Sequence, residues 1–147
     1  YMDVEEYVNY MIFEQFIVNT DWPGNNQKIW RKHIGGKFRW ILYDTDFGLG
    51  LYDGWERNYT NKSLNTITWC TGEGNEANWA NANPNNYAFD EEYIWKTKFF
   101  KCLMKNQGFK DMFVTKAIEL LAGPLSGESF DKALEAFIPL VFTNSSD

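Results

Sequence analysis

A helical repeat of apolar residues that stops at Trp22-Pro23-Gly24 and gives way to two β-rich runs constrains this chain more than any other feature. Val4, Tyr7, Val8, Met11, Ile12, Gln15 and Phe16 recur at helical spacing and predict a helix to about Asn19. Asp3, with Glu6 three residues on, predicts an N-cap and its reciprocal acidic partner. Pro23 disfavours helical geometry at Trp22, and Gly24 breaks what is left of the pattern. Lys28 to Arg31 and Lys37 to Tyr43 are rich in aromatic and β-branched residues. His33-Ile34-Gly35-Gly36 between them predicts a hairpin with a glycine turn.

Beyond the hairpin, Asp44 to about Tyr87 is polar, dense in Asn and Gly, and predicted to be a long loop. Such a segment is more often functional than idle. Three helical patterns follow. The first runs from Asp90 to a stop at Gly108, the second from Lys110 to Ala122, stopped by Gly123-Pro124. The third runs from near Ser129 to about Phe142, with Pro139 expected to bend or end it. The fold class expected is α+β, mainly helical, with one small β-hairpin in a single domain over residues 1–147.

Seven Trp, eight Tyr and twelve Phe predict a densely aromatic core, or aromatic surface awaiting partner sequence. A net charge of -6 argues against nucleic acid or an anionic membrane as partner. No run of eighteen apolar residues exists, so no membrane span is expected, and the N-terminus lacks a signal-peptide pattern. Cys70 and Cys102 are too few and too far apart for a metal site. Cys102, in a helical pattern, is expected to be a buried small apolar group, with a disulfide to Cys70 the less favoured alternative.

The chemistry-bearing residues sit around the hairpin. Asp21 falls on a turn after the first helix and Asn26 at the start of the first strand. Asp44 and Asp46 fall just after the second strand. An antiparallel ribbon brings Asn26 and the Asp44-Asp46 pair to one end, so carboxamide and carboxylate oxygens converge there. An Asp, an Asn five positions on, a hairpin and then Asp46-Phe47-Gly48 is the order of parts in a protein-kinase catalytic centre. Asp21 would then orient the attacking hydroxyl and take its proton, while Asn26 and Asp46 would hold Mg²⁺ or Mn²⁺ on the phosphates of ATP. Asp44 is either a further ligand or a supporting carboxylate. Lys28 could reach a phosphate or simply be solvated, and Asn25 could touch the nucleotide or support the loop. Each has a plainer reading too: Asp21 as an exposed turn residue or cap, Asn26 as a turn asparagine. Trp22, Trp30 and Trp40 are expected to be core or platform aromatics. Asn19-Thr20 stand where kinases usually carry His-Arg.

Asp21-Trp22-Pro23-Gly24-Asn25-Asn26 with Lys28 and Trp30, followed by Phe38-Arg39-Trp40 and Tyr43-Asp44-Thr45-Asp46-Phe47-Gly48, resembles the CotH family of spore coat protein H kinase-like proteins. The resemblance is dense from about Asn9 to Gly50. It implies an atypical protein-kinase fold, phosphate transfer from ATP to Ser or Thr of a protein substrate, and a cell-surface, secreted or coat-associated setting. It also implies the catalytic role for Asp21 and the metal roles for Asn26 and Asp46. No glycine-rich phosphate loop and no Val-Ala-Ile-Lys-like strand occurs in the chain. The 147 residues are therefore expected to be the C-terminal lobe of a longer kinase domain, inactive or nearly so alone. Two other functions fit parts of the pattern. Asp44-Thr45-Asp46 is also the Asp-x-Asp of metal-dependent glycosyltransferases, and a kinase-like scaffold without catalysis could serve as a surface or coat interaction module.

Overall fold

The computed structural model describes residues 1–19, 22, 26–49, 65–71 and 94–142. Five helices and one two-stranded sheet occur there: α1 (Val4–Phe16), β1 (Lys28–Trp30), β2 (Arg39–Ile41), α2 (Thr66–Thr71), α3 (Ile94–Leu103), α4 (Gln107–Ala122) and α5 (Gly127–Phe142). The α+β class, mainly helical with a small hairpin, is as expected. None of the described helices is long and apolar enough to cross a membrane.

α1 is the central element. Tyr7, Val8, Met11, Ile12 and Gln15 form the expected apolar face, and Tyr10 and Glu14 are buried beside it. The helix packs on α4, β2 and α2, and α2 packs in turn on α3. The core gathers Tyr7, Val8, Tyr10, Met11 and Ile12 with Trp22, Cys70, Phe100, Phe109 and Phe113. Full burial of one such large side chain contributes about 1.5–3 kcal/mol. Aromatic rings dominate these contacts: Tyr7 lies 4.3 Å from Trp40, and Trp40 stacks on Phe99 at 6.0 Å. The other half of the aromatic expectation also appears, since Trp30, Phe38, Tyr43 and Phe137 stay exposed. Of the three tryptophans expected to be core or platform aromatics, Trp22 is in the core, Trp40 is half-buried and Trp30 is exposed.

The hairpin pairs Lys28 with Ile41, Ile29 with Trp40 and Trp30 with Arg39. Its turn depends on Gly36, where a Cβ would stand 2.5 Å from the Lys32 carbonyl oxygen. The chain start runs beside β2, with Asp3 N donating to Phe38 O at 2.9 Å and Phe38 N to Tyr1 O at 3.0 Å.

Several expectations are corrected. Asp3 precedes α1 but makes no side-chain cap. Its carboxylate takes both Nε and Nη2 of Arg39, at 3.1 and 2.8 Å, while Glu6 Oε2 accepts from Trp40 N at 3.1 Å. Both acids thus bond β2 rather than their own helix. The polar segment after Asp44 is not all loop, because it contains α2, whose start Asn65 supports by accepting from Ile67 N. Gly108 does not stop a helix; it lies in the first turn of α4, which Asn106 caps by accepting from Phe109 N at 3.0 Å. Gly123 ends α4 as expected. α5 begins two residues before Ser129 and runs through Pro139, so the loss of that residue's donor is confined to the last turn. Cys70 is buried and Cys102 exposed, the reverse of the burial expected of Cys102, and both thiols are free. The start expected at Asp90 lies outside the described residues.

Candidate functional site

The site begins where α1 ends. Asn19 N donates to Glu14 O, and Val18 N to Gln15 O, both at 3.2 Å. This pair of crossed bonds is the Schellman ending of a helix, which calls for a left-handed residue at the position Val18 occupies. Val18 has φ 54°, a region where a β-branched side chain costs roughly 1–2 kcal/mol and glycine nothing. The hydrophobic contact that commonly ties such a turn is replaced by a polar one. Asn19 Nδ2 donates to Glu14 Oε2 at 2.9 Å, and neither residue has any exposed surface. Three residues later the chain is anchored again. Trp22 is 1% exposed, and its Nε1 donates to Tyr10 Oη at 2.7 Å.

The far end of the hairpin approaches the same turn. Leu49 N donates to Ile17 O at 2.6 Å, and Gly48 N to Thr45 O at 3.0 Å. Gly48 is buried so close that a Cβ there would meet Ile17 Cδ1 at 3.1 Å. A larger residue could not bring the Asp46-Phe47-Gly48 segment so near α1. The non-glycine residues with left-handed backbone among those described are Val18, Asn26, Asp44 and Leu49. Asn and Asp tolerate this conformation through their short polar side chains, whereas Val and Leu do not. All four lie at the ends of the elements that meet here, where strain is ordinarily found when a site is held in shape.

The strand register sets the remaining placements. Lys28 faces Ile41, so Asn26 just before β1 and Asp44 just after β2 lie at one end of the ribbon. Asn26 is half-buried, Asp44 and Asp46 exposed. Lys28 is exposed, with its Nζ 3.2 Å from the centroid of the Tyr43 ring. Asp21 and Asn25 lie outside the described residues, as do residues 50–64 and 72–87 of the segment expected to be a loop. The donor set at this end is one carboxamide and two carboxylates, the hard oxygen ligands that suit Mg²⁺ or Mn²⁺. Among the described residues, no three His, Cys, Asp or Glu side chains gather into a metal site.

Sequence reasoning assigned nothing to Glu14 or Asn19. The signal was present: Glu14 falls three residues after Met11 and four after Tyr10, inside the apolar face of α1. A carboxylate at such a position must be partnered or neutral. Burial raises its carboxyl to about 7, against a smaller lowering by the Asn19 hydrogen bond. Burial also raises the Tyr10 hydroxyl and the Cys70 thiol, and in both the nearby Glu14 charge adds to the effect.

No curated protein and no solved structure matches this chain. The model of one family, described as CotH kinase protein, matches residues 1–140. With its helix–turn–hairpin site carried inside that match, the chain belongs to the CotH kinase protein family.

Proposed function

We propose that this chain carries the catalytic-loop half of an atypical kinase-like domain, which transfers the γ-phosphate of ATP to a Ser or Thr hydroxyl of a protein. The observation that supports this most is the backbone bond from Leu49 N to Ile17 O. It joins the Asp46-Phe47-Gly48 segment to the turn that leads into Asp21, while the hairpin brings Asn26 and Asp44 to the same region.

In this reading Asp21 orients the acceptor hydroxyl and takes its proton. The freed oxygen attacks the γ-phosphorus, the bond to the β,γ-bridging oxygen breaks, and ADP leaves. Asn26 and Asp46 would hold a divalent cation, Mg²⁺ or Mn²⁺, with Asp44 as a further oxygen. That ion neutralises charge on the phosphates when bound. Asn25 and Lys28 are the candidates for phosphate contact, although the Lys28 ammonium also has the Tyr43 face to rest on. The acceptor is expected to be a coat-associated or cell-surface protein. A glycine-rich phosphate loop and its lysine strand are not among these 147 residues. Transfer is therefore expected from the full-length protein, and little from this chain alone.

The test is made in the full-length protein. Asp21→Ala should lower phosphate transfer by about 10²–10⁴-fold while leaving ATP·Mg²⁺ binding nearly intact. Asp46→Ala should instead weaken metal-dependent nucleotide binding, read by titration calorimetry. Transfer by the Asp21 variant at the wild-type rate would remove the assignment.

A further inference from the structure

Glu14 is a buried carboxyl that the proposed reaction does not use. Its Oε2 accepts from Asn19 Nδ2 at 2.9 Å, and its own carbonyl oxygen accepts from the Asn19 backbone at 3.2 Å. Asn19 is therefore held twice by one residue, across a turn whose middle residue is the strained Val18. Glu14 Oε1 and Gln15 Nε2 are buried without hydrogen-bond partners among the described residues. A fold that tolerates those costs at the end of its central helix gains little stability from them, since an apolar pair would tie the same turn more cheaply.

What hangs on the turn is the rest of the site. Ile17 O receives Leu49 N and so holds the segment bearing Asp46. Asn19 precedes Asp21 by two residues, and Trp22 anchors the chain immediately after it. We propose that the Glu14–Asn19 pair is a positioning clamp, which holds the left-handed Val18 turn so that residues 17–19, which lead in sequence to Asp21, keep their placement against the segment bearing Asp46. The inference rests on the phosphoryl-transfer reading for its kinetic consequence but not for its structural one. Glu14 touches no reacting atom. It acts through Asn19 and Ile17.

Two readouts separate this role from ordinary core packing. In the full-length protein, Glu14→Leu removes the acceptor while keeping apolar bulk. Its kcat should fall roughly 100-fold per folded molecule with the KM for ATP little changed, as expected when reacting groups are displaced by about 1 Å. Glu14→Gln, which keeps an oxygen for Asn19, should recover most of that loss. By hydrogen exchange, the Asn19 and Leu49 amides should lose protection in Glu14→Leu while the Phe113 amide in α4 does not. If the clamp opposes strain at Val18, adding Val18→Gly to Glu14→Leu should restore both kcat and the protection of Leu49. This double variant also decides the matter should Glu14→Leu alone fail to fold. Wild-type kcat and wild-type Leu49 protection in Glu14→Leu would overturn the clamp, as would a double variant that recovers neither. Should the wild-type protein transfer no phosphate at all, the reaction proposed above falls, and the exchange pattern alone still upholds or overturns the clamp.

Discussion

Gly48 shows how little room one residue has at this site. A Cβ there would press on Thr45 O at 3.0 Å and on Ile17 Cδ1 at 3.1 Å. One of those neighbours is backbone and cannot swing aside, so Gly48→Ala must move the segment or the end of α1. The expected cost is about 1–3 kcal/mol, as for other overpacked positions. A lowered urea midpoint with an unchanged m-value would show it. The glycine of Asp46-Phe47-Gly48 was visible as a motif, but its reason was not. Only the approach of Ile17, about thirty residues away in sequence, explains why no side chain fits.

At the scale of elements, the helix and the hairpin are tied by the two acids at the start of α1. Asp3 and Glu6 differ in what they hold. The Asp3–Arg39 pair lies at the surface, with the Arg39 side chain 49% exposed, and such pairs are worth roughly 0–1 kcal/mol. Glu6 satisfies a backbone donor at half-buried Trp40, and losing that acceptor costs about 1–3 kcal/mol. Glu6→Ala should therefore lower thermal stability more than Asp3→Ala, and high salt should shrink only the Asp3 effect. Asn106→Ala should cost about 1 kcal/mol through loss of the α4 cap, measurable by chemical denaturation. The helix and the hairpin were legible because their signals are local: apolar period, proline, glycine turn. The use of Asp3 and Glu6 was misread because the spacing of a capping box also lets the residue before a helix and an acid in its first turn both reach β2.

For the molecule as a whole, Glu14 sets a pH dependence with a definite sign. Its folded carboxyl titrates at about 7, above the 4.5 of an unperturbed one. The folded state therefore keeps a proton that the unfolded chain releases. The stability this contributes is complete below pH 4.5 and is lost as pH rises through about 7, a change on the order of 3 kcal/mol. The buried groups facing it, Tyr10 and Cys70, have raised pKa values and stay neutral across this window. Glu6, also raised by burial, is common to both proteins compared. Thermal midpoints of wild type and Glu14→Gln, followed between pH 4.5 and 8, should diverge in that direction, and parallel curves would contradict it.

The order of helix, turn, ribbon and Asp-Phe-Gly was determined by sequence alone, because each depends on neighbours within a few positions. So were the oxygen-bearing side chains at one end of the ribbon, since antiparallel pairing leaves no other arrangement. Tertiary structure alone decided that a buried glutamate holds the turn before Asp21, that Val18 and Leu49 take backbone shapes they resist, and that Leu49 bonds to Ile17. Those features depend on contacts between distant segments, where burial makes each unpaired polar atom costly and forces partners that no local pattern specifies.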